Sequence, residues 1–226
     1  IAYRIQCPNN LHLFEQMARA LTDIDFGGYK KENRQVRDFF LKQGYVPDEG
    51  VYVISEGARH IYVHPETQLN IDVFADELYF CHRIPSKGPL ECATPTIATT
   101  DRLLEPMQIV EITLKHVKDT RVLLLEHPPG TAQDSNRHID MPYILDIMTK
   151  DWGFYYTFTT NLKRVPDYIS EFPAITPEQA DTIRKRIDHI LEEIEKAPKS
   201  MGWKIRAKIG TRKIWYQEVS EKTRQM

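Results

Sequence analysis

Apolar positions in this chain follow two patterns, and the change from one to the other falls near residue 95. Upstream, short runs rich in β-branched and aromatic residues recur between turn signals: HIYVH (60–64), QLNIDVF (68–74) and LYFCHRI (78–84). Such runs predict antiparallel strands, with HPETQ turning the chain between the first two. TDIDF (22–26) predicts a fourth short strand, and Gly27 and Gly28 predict a turn out of it towards a helix. That helix is KKENRQVRDFFLKQ (30–43), with Val36, Phe39, Phe40 and Gln43 at helical spacing and Gly44 as its stop.

Downstream the helical period dominates. Thr100 is an expected N-cap for DRLLEPMQIVEI, within which Pro106 predicts a kink or a restart. LKHVKDTRVLLLEH (114–127) predicts a second helix, stopped by Pro128, Pro129 and Gly130, and residues 133–137 predict a polar loop. MPYILDIMTKDWGFYYTFTTNLKRV predicts two short helices. In ITPEQADTIRKRIDHILEEIEKA, Thr176 is a cap and Pro177 takes the first helical position. Ile183, Ile187, Ile190, Leu191 and Ile194 form its apolar stripe. Last, WKIRAKIGTRKIWYQEV (203–219) alternates basic and apolar residues around Gly210-Thr211, which predicts a β-hairpin. The expected fold class is α+β: a mixed-sheet unit over residues 1–95, a helical domain over 96–200, and a basic hairpin and tail over 201–226.

Composition narrows the function classes. With 226 residues, 41% hydrophobic and 27% charged, the chain can bury a substantial core. A net charge of −2, from 30 basic and 32 acidic side chains, supplies no global field for nucleic acid or anionic membrane, so any polyanion site must be local. Cys7, Cys81 and Cys92 lack paired metal-ligand spacing and favour a reducing compartment over a disulfide framework. No apolar run is long enough to cross a bilayer, and the start IAYRIQCP does not read as a signal peptide. A cytoplasmic protein with no membrane partner is expected.

The candidate chemistry begins at TDIDF. Side chains two apart on a strand share a face, so Asp23 and Asp25 project together, opposite Ile24 and Phe26. In IDVF, Asp72 sits inside an apolar strand, where an unpaired charge is costly, so it requires a cationic partner or a metal. If the two strands are neighbours, Asp23, Asp25 and Asp72 form a set of hard oxygen ligands suited to Mg²⁺ or Mn²⁺.

At these residues the chain resembles the nucleotidyltransferase-fold superfamily, which includes DNA polymerase beta and the antibiotic nucleotidyltransferases. The order of an hDhDh strand, a helix and an hDh strand is similar to that of AbiEii-type abortive-infection toxins and related bacterial proteins. The resemblance covers roughly residues 1–127, as motifs and order. It implies an α+β nucleotidyltransferase-like core and Mg²⁺-dependent transfer of a nucleoside monophosphate from an NTP to a hydroxyl acceptor. Asp23, Asp25 and Asp72 match the metal ligands, with Asp72 also placed to help deprotonate the acceptor, and Asp119 takes the family's late acidic position. The glycine pair that cradles the triphosphate in the family is absent, and IAYRIQCP looks like the helix that directly follows it, so the pair is expected upstream of Ile1. The family's helical lysine is replaced near Pro106 or Met107, which moves the expected phosphate contacts to Lys30, Lys31 and Arg34. These two departures also sustain an alternative: a catalytically inactive nucleotidyltransferase-like binding module. A metal-dependent nuclease ranks last, because no acid-x-lysine element follows Asp72.

Other signals carry competing readings. Lys204, Arg206, Lys208, Arg212 and Lys213 lie among Trp203, Trp215 and Tyr216; basic residues interleaved with aromatics grip a phosphate backbone and stack bases, and an amphipathic strand pair yields the same pattern without a ligand. If the acceptor is RNA rather than a small molecule, Lys204, Arg206, Lys208 and Trp215 are its expected contacts. His60 and His64 share a strand face but lack a third zinc ligand at fitting spacing. Cys81-His82 reads as one buried thiol and one exposed ring rather than a nucleophile pair. Asp119 beside Lys118 reads equally as a helix-surface ion pair.

Overall fold

The computed structural model describes residues 2–19, 23–85, 95–131, 137–171 and 174–218. Thr22, Cys92 and residues 133–136 and 219–226, which figure in the expectations above, lie outside the described residues. In chain order the elements are α1 (Ala2–Gln6), α2 (His12–Gln16), β1 (Asp23–Gly28), α3 (Asn33–Lys42), β2 (Val46–Pro47), α4 (Glu49–Ile54), β3 (Arg59–Val63), β4 (Asn70–Ala75), β5 (Glu77–Tyr79), β6 (Arg83–Pro85), α5 (Thr99–Met107), α6 (Leu114–Glu126), β7 (Pro129–Gly130), β8 (Ile139–Asp140), α7 (Met141–Met148), α8 (Trp152–Arg164), α9 (Pro177–Lys196) and α10 (Met201–Ile209). The chain is α+β with a mixed sheet. It forms two compact units: a sheet unit of residues 23–79 and 83–85, and a helical unit that takes in residues 2–19 and 80–82 as well as the described residues from 95 to 218.

In the sheet unit the strand order is β1-β4-β3-β2, with β1 and β4 parallel and the other neighbours antiparallel. Alternation decides what each face carries. Ile24, Tyr62, Ile71 and Val73 point to one side, where α3 lays Val36 and Phe40 across them. Phe40 stacks on Tyr62 at 4.5 Å between centroids and meets Tyr45 edge-on at 5.4 Å. Burying Phe40, Ile71 and Val73 stabilises the unit by about 1.5–3 kcal/mol each, which pins the register, because a slip of one residue would turn the whole apolar set outward.

Two expectations about this unit change. Gly27 and Gly28 do not turn the chain; they are the last residues of β1 and pair with Phe74 and Ala75. The turn comes later, through a 3₁₀ segment at Lys30–Glu32. LYFCHRI is not one strand but two, β5 and β6, paired with each other around Phe80–His82. The interruption follows from the backbone of that segment, whose Phe80 and His82 N–H groups donate to the buried Gln108 side chain and not to a ladder partner.

In the helical unit α9 forms as its cap signals dictate. Thr176 Oγ1 accepts from the Gln179 N–H, while Gln179 Oε1 accepts from the Thr176 N–H. Ile183, Ile187, Ile190 and Ile194 are fully buried, with Leu191 at the edge of the stripe. Pro106 acts as expected, since α5 ends one residue after it and a new helix starts at Leu114 under a Thr113 cap. Thr100 is not the cap; it lies in the first turn of α5 and accepts the Asp140 N–H at 2.7 Å.

The C-terminal hairpin is corrected outright: residues 201–209 form a helix. Ser200 caps it by accepting the Trp203 N–H at 3.1 Å, Lys, Arg and Ala favour helix, and Gly210 at φ 60° takes the chain out. The alternation that suggested strands is also compatible with a helical period: Trp203, Arg206 and Ala207 turn inward, while Met201, Lys204, Ile205 and Lys208 turn outward.

Candidate active site: an acidic sheet face

The sheet face opposite α3 gathers the three aspartates. Asp25 on β1 is the register partner of Asp72 on β4, so their Cα atoms sit about 5 Å apart and their side chains project to the same side. Asp23 lies one strand step back on that face, beside Asn70. One step forward is Gly27, beside Phe74, where β1 presents no side chain at all. Asp23 and Asp25 are exposed, whereas the Asp72 side chain keeps only 20% of its exposure.

Asp72 needs a cation, and in this structure it has one. Arg59, diagonal to it on β3, donates Nε to Oδ1 at 3.2 Å and Nη2 to Oδ2 at 2.7 Å. The Arg59 guanidinium also lies over the Phe74 ring, 5.2 Å from its centroid. Burial raises the pKa of the Asp72 carboxyl, the Arg59 hydrogen bond and charge oppose that, and the Asp23 charge adds to the rise. Asp23 and Asp72 are therefore electrostatically coupled. Among the described residues no group of three His, Cys, Asp or Glu side chains is gathered tightly enough to hold a metal ion. The three acids set carboxylate oxygens on one face, those of Asp23 and Asp25 exposed.

The cationic residues expected to hold phosphate stand beyond the C-terminal end of β1. Lys30, Lys31 and Arg34 are exposed; the Lys30 N–H donates to Asp76 at 3.0 Å, and the Lys31 ammonium lies 4.7 Å from the centroid of the Tyr29 ring. From Asp25 to the end of β1 is roughly 10 Å of strand, so these side chains flank the acids rather than join them. His60 is buried on the α3 side, where Nδ1 meets the Tyr62 hydroxyl at 2.9 Å and burial lowers its pKa. His64 packs edge-on against Tyr45.

The helical unit gives its candidates structural partners. Asp119 is buried and held bidentately by Arg19, both bonds at 2.8 Å, and Lys118 instead donates to the Met17 carbonyl. Arg206 donates to the carbonyls of Gly210, Lys213 and Ile214 and covers the Trp152 ring at 4.8 Å. Trp215 turns inward, its Nε1 donating to Thr157 at 3.0 Å. Of the four side chains proposed to contact an RNA acceptor, Lys204 and Lys208 are the two that face outward. His82 is buried as well as Cys81, not exposed: it stacks on Phe154, its Nε2 meets the Thr157 hydroxyl at 2.9 Å, and burial pushes its pKa down to about 4.

Arg59 is the residue of this face that sequence reasoning missed. The available signal was the requirement for a cation at Asp72, and Arg59 opens the strand that precedes it. No family model, curated protein or solved structure matches this chain.

Proposed function

We propose that the acidic sheet face is the active site of a nucleotidyltransferase that moves a nucleoside monophosphate from an NTP to a hydroxyl acceptor, releasing pyrophosphate. The observation that carries this reading is the parallel β1–β4 register, which sets Asp25 opposite Asp72 with Asp23 on the same face. Asp23 and Asp25 would hold Mg²⁺ or Mn²⁺ together with Asp72. When bound there, the metal would lower the pKa of the attacking hydroxyl and neutralise the leaving pyrophosphate. Asp72, whose pKa burial raises, is the side chain suited to take the acceptor proton. Gly27 leaves the strand beside Asp25 bare, which lets a nucleotide approach the backbone. Lys30, Lys31 and Arg34 supply positive charge for the triphosphate at the end of the same strand. The acceptor is RNA or a small molecule.

The Arg59–Asp72 ion pair favours a second reading, a nucleotidyltransferase-like module that binds nucleotide without turning it over, because the pair already satisfies the third carboxylate. Pyrophosphate release separates the two. With each of the four NTPs, Mg²⁺ or Mn²⁺, and either an RNA pool or small hydroxyl acceptors, the enzyme reading expects turnover that Asp25→Asn removes. Nucleotide binding without any turnover would favour the module.

A further inference from the structure

We propose that the outward face of α10 is a peripheral docking surface for an anionic lipid bilayer, on which the helix lies flat with an apolar stripe in the interface. The sequence supplies the stripe: Met201, Ile205 and Ile209 recur every fourth residue, which brings them to one side of the helix. Folding leaves these three side chains in solvent, at 72%, 58% and 38% exposure. Lys204 and Lys208 each stand one position before an isoleucine, so exposed ammonium groups run along one flank of the stripe. The inward side of α10 is already occupied. Trp203 meets Tyr155 edge-on at 5.0 Å and the Arg206 guanidinium covers Trp152 at 4.8 Å, so the helix cannot roll to bury its isoleucines on α8. Past its end, Arg206 donates to the carbonyls of Lys213 and Ile214 at 2.8 and 3.2 Å, and Arg212 donates to that of Lys208 at 2.7 Å. These bonds keep Lys213 and the exposed Ile214 beside the helix.

Charge and shape select the partner. From Ala197 to Gln217 the chain carries six cations, Lys199, Lys204, Arg206, Lys208, Arg212 and Lys213, and no acid, although its net charge is −2. Such a local excess draws an anionic surface. A nucleic acid would meet the cations but set phosphate against the aliphatic stripe, and the rings that would stack on bases, Trp203 and Trp215, are turned inward. A bilayer answers both halves of the pattern. Methionine and isoleucine side chains enter the boundary between headgroups and acyl chains, and the lysines beside them reach the headgroup phosphates. The high exposure of Met201 and Ile205 marks a stripe that stands out from one helix rather than lining a groove, and helical peptides dock in grooves. Lying in the interface requires no spanning segment, and among the described residues no helix is long and apolar enough to cross a membrane.

The test is co-sedimentation of the full chain with vesicles of phosphatidylcholine alone or of phosphatidylcholine mixed equally with phosphatidylserine. The protein should pellet with the mixed vesicles, stay in solution with the neutral ones, and bind less tightly as salt rises. Lys204→Gln combined with Lys208→Gln should weaken binding about thirtyfold, or about fivefold for each cation. Ile205→Ser, which leaves the charge unchanged, should weaken it about tenfold. All three positions are exposed, so the circular dichroism of these variants should match the wild type. Absence of pelleting with the mixed vesicles, equal pelleting with both kinds, or binding indifferent to Ile205→Ser overturns the proposal. A wild type that ignores vesicles but binds single-stranded RNA, with the lysine variant weakened and Ile205→Ser intact, would assign the face to nucleic acid. A wild type that ignores vesicles but binds a synthetic glutamate- and leucine-rich helix would assign it to an acidic protein partner. A dimer in analytical ultracentrifugation that Ile205→Ser makes monomeric would assign it to a second copy of this chain. Each of these three results likewise overturns the lipid assignment.

Discussion

Asp119→Asn leaves the Arg19 guanidinium buried without its carboxylate, and the structure sets the size of the effect. The two side chains retain 8% and 7% of their exposure and meet through two 2.8 Å bonds, so solvent screening removes little of the penalty. Breaking a buried pair from one side costs about 3–5 kcal/mol. At about 2–4 °C per kcal/mol for a unit of this size, the helical unit should melt roughly 6–20 °C lower. Burial raises the Asp119 pKa against the opposing effect of Arg19, so Arg19→Met, whose orphaned acid can take up a proton, should cost less than Asp119→Asn. The apolar pair Arg19→Met with Asp119→Leu should recover most of the loss, because neither charge remains buried. Urea denaturation followed by circular dichroism, run as a double-mutant cycle, measures all of this. Single substitutions each costing under about 1 kcal/mol, or strictly additive ones, would refute the reasoning. An Asp119→Asn protein of wild-type stability that had lost NTP turnover would instead move Asp119 into the site, as the family resemblance implied.

The remaining predictions concern both units. His82 has a folded pKa near 4 against an ordinary value near 6.5, so the unfolded chain binds its proton first as pH falls. Its contribution to stability is therefore whole above pH 6.5 and should decline by about 3 kcal/mol between there and pH 4; urea midpoints of His82→Gln should lose that pH slope. In Gly153→Ala a Cβ would lie 2.5 Å from the Trp215 carbonyl oxygen, so the segment around Trp215 must shift, at about 1–3 kcal/mol, and Trp215 fluorescence should report it. In the sheet unit, Asp72→Asn should lower stability by about 1–3 kcal/mol because Arg59 loses its carboxylate, whereas Asp23→Asn at an exposed position should cost less than about 1 kcal/mol. Equal stability losses in the two variants would contradict the assignment of Arg59 to Asp72.

Where sequence reasoning succeeded, the deciding interactions were local. The Thr176–Gln179 capping box, Pro177 and the isoleucine stripe of α9 all act within a few residues of one another, and α9 begins and packs as they predict. The same holds for the two-residue period that puts Asp23 and Asp25 on one face. The parallel pairing that brings Asp72 beside Asp25 was only conditional in the sequence, because strand neighbours some fifty residues apart are selected by packing of α3 on the opposite face. Partners at long range were not legible at all: nothing near Asp119 points to Arg19, 100 residues away. In residues 203–209 local signals pointed both ways, and the contacts of Trp203 and Arg206 with α8 decided for helix over the expected strand. Gly27 and Gly28 read as a turn because glycine usually interrupts strands; ladder pairing with Phe74 and Ala75 overrode that preference.

Transfer of label from an α-³²P-labelled NTP to a hydroxyl acceptor tests the central claim most directly. Each of the four nucleotides is offered with Mg²⁺ or Mn²⁺ and with RNA or small-molecule acceptors, using the wild type and Asp25→Asn side by side. Acceptor labelling that requires the metal and disappears in a folded Asp25→Asn protein is the result expected. Labelling that survives Asp25→Asn, or no labelling under any of these conditions, would contradict the assignment of the acidic face as a nucleotidyltransferase active site.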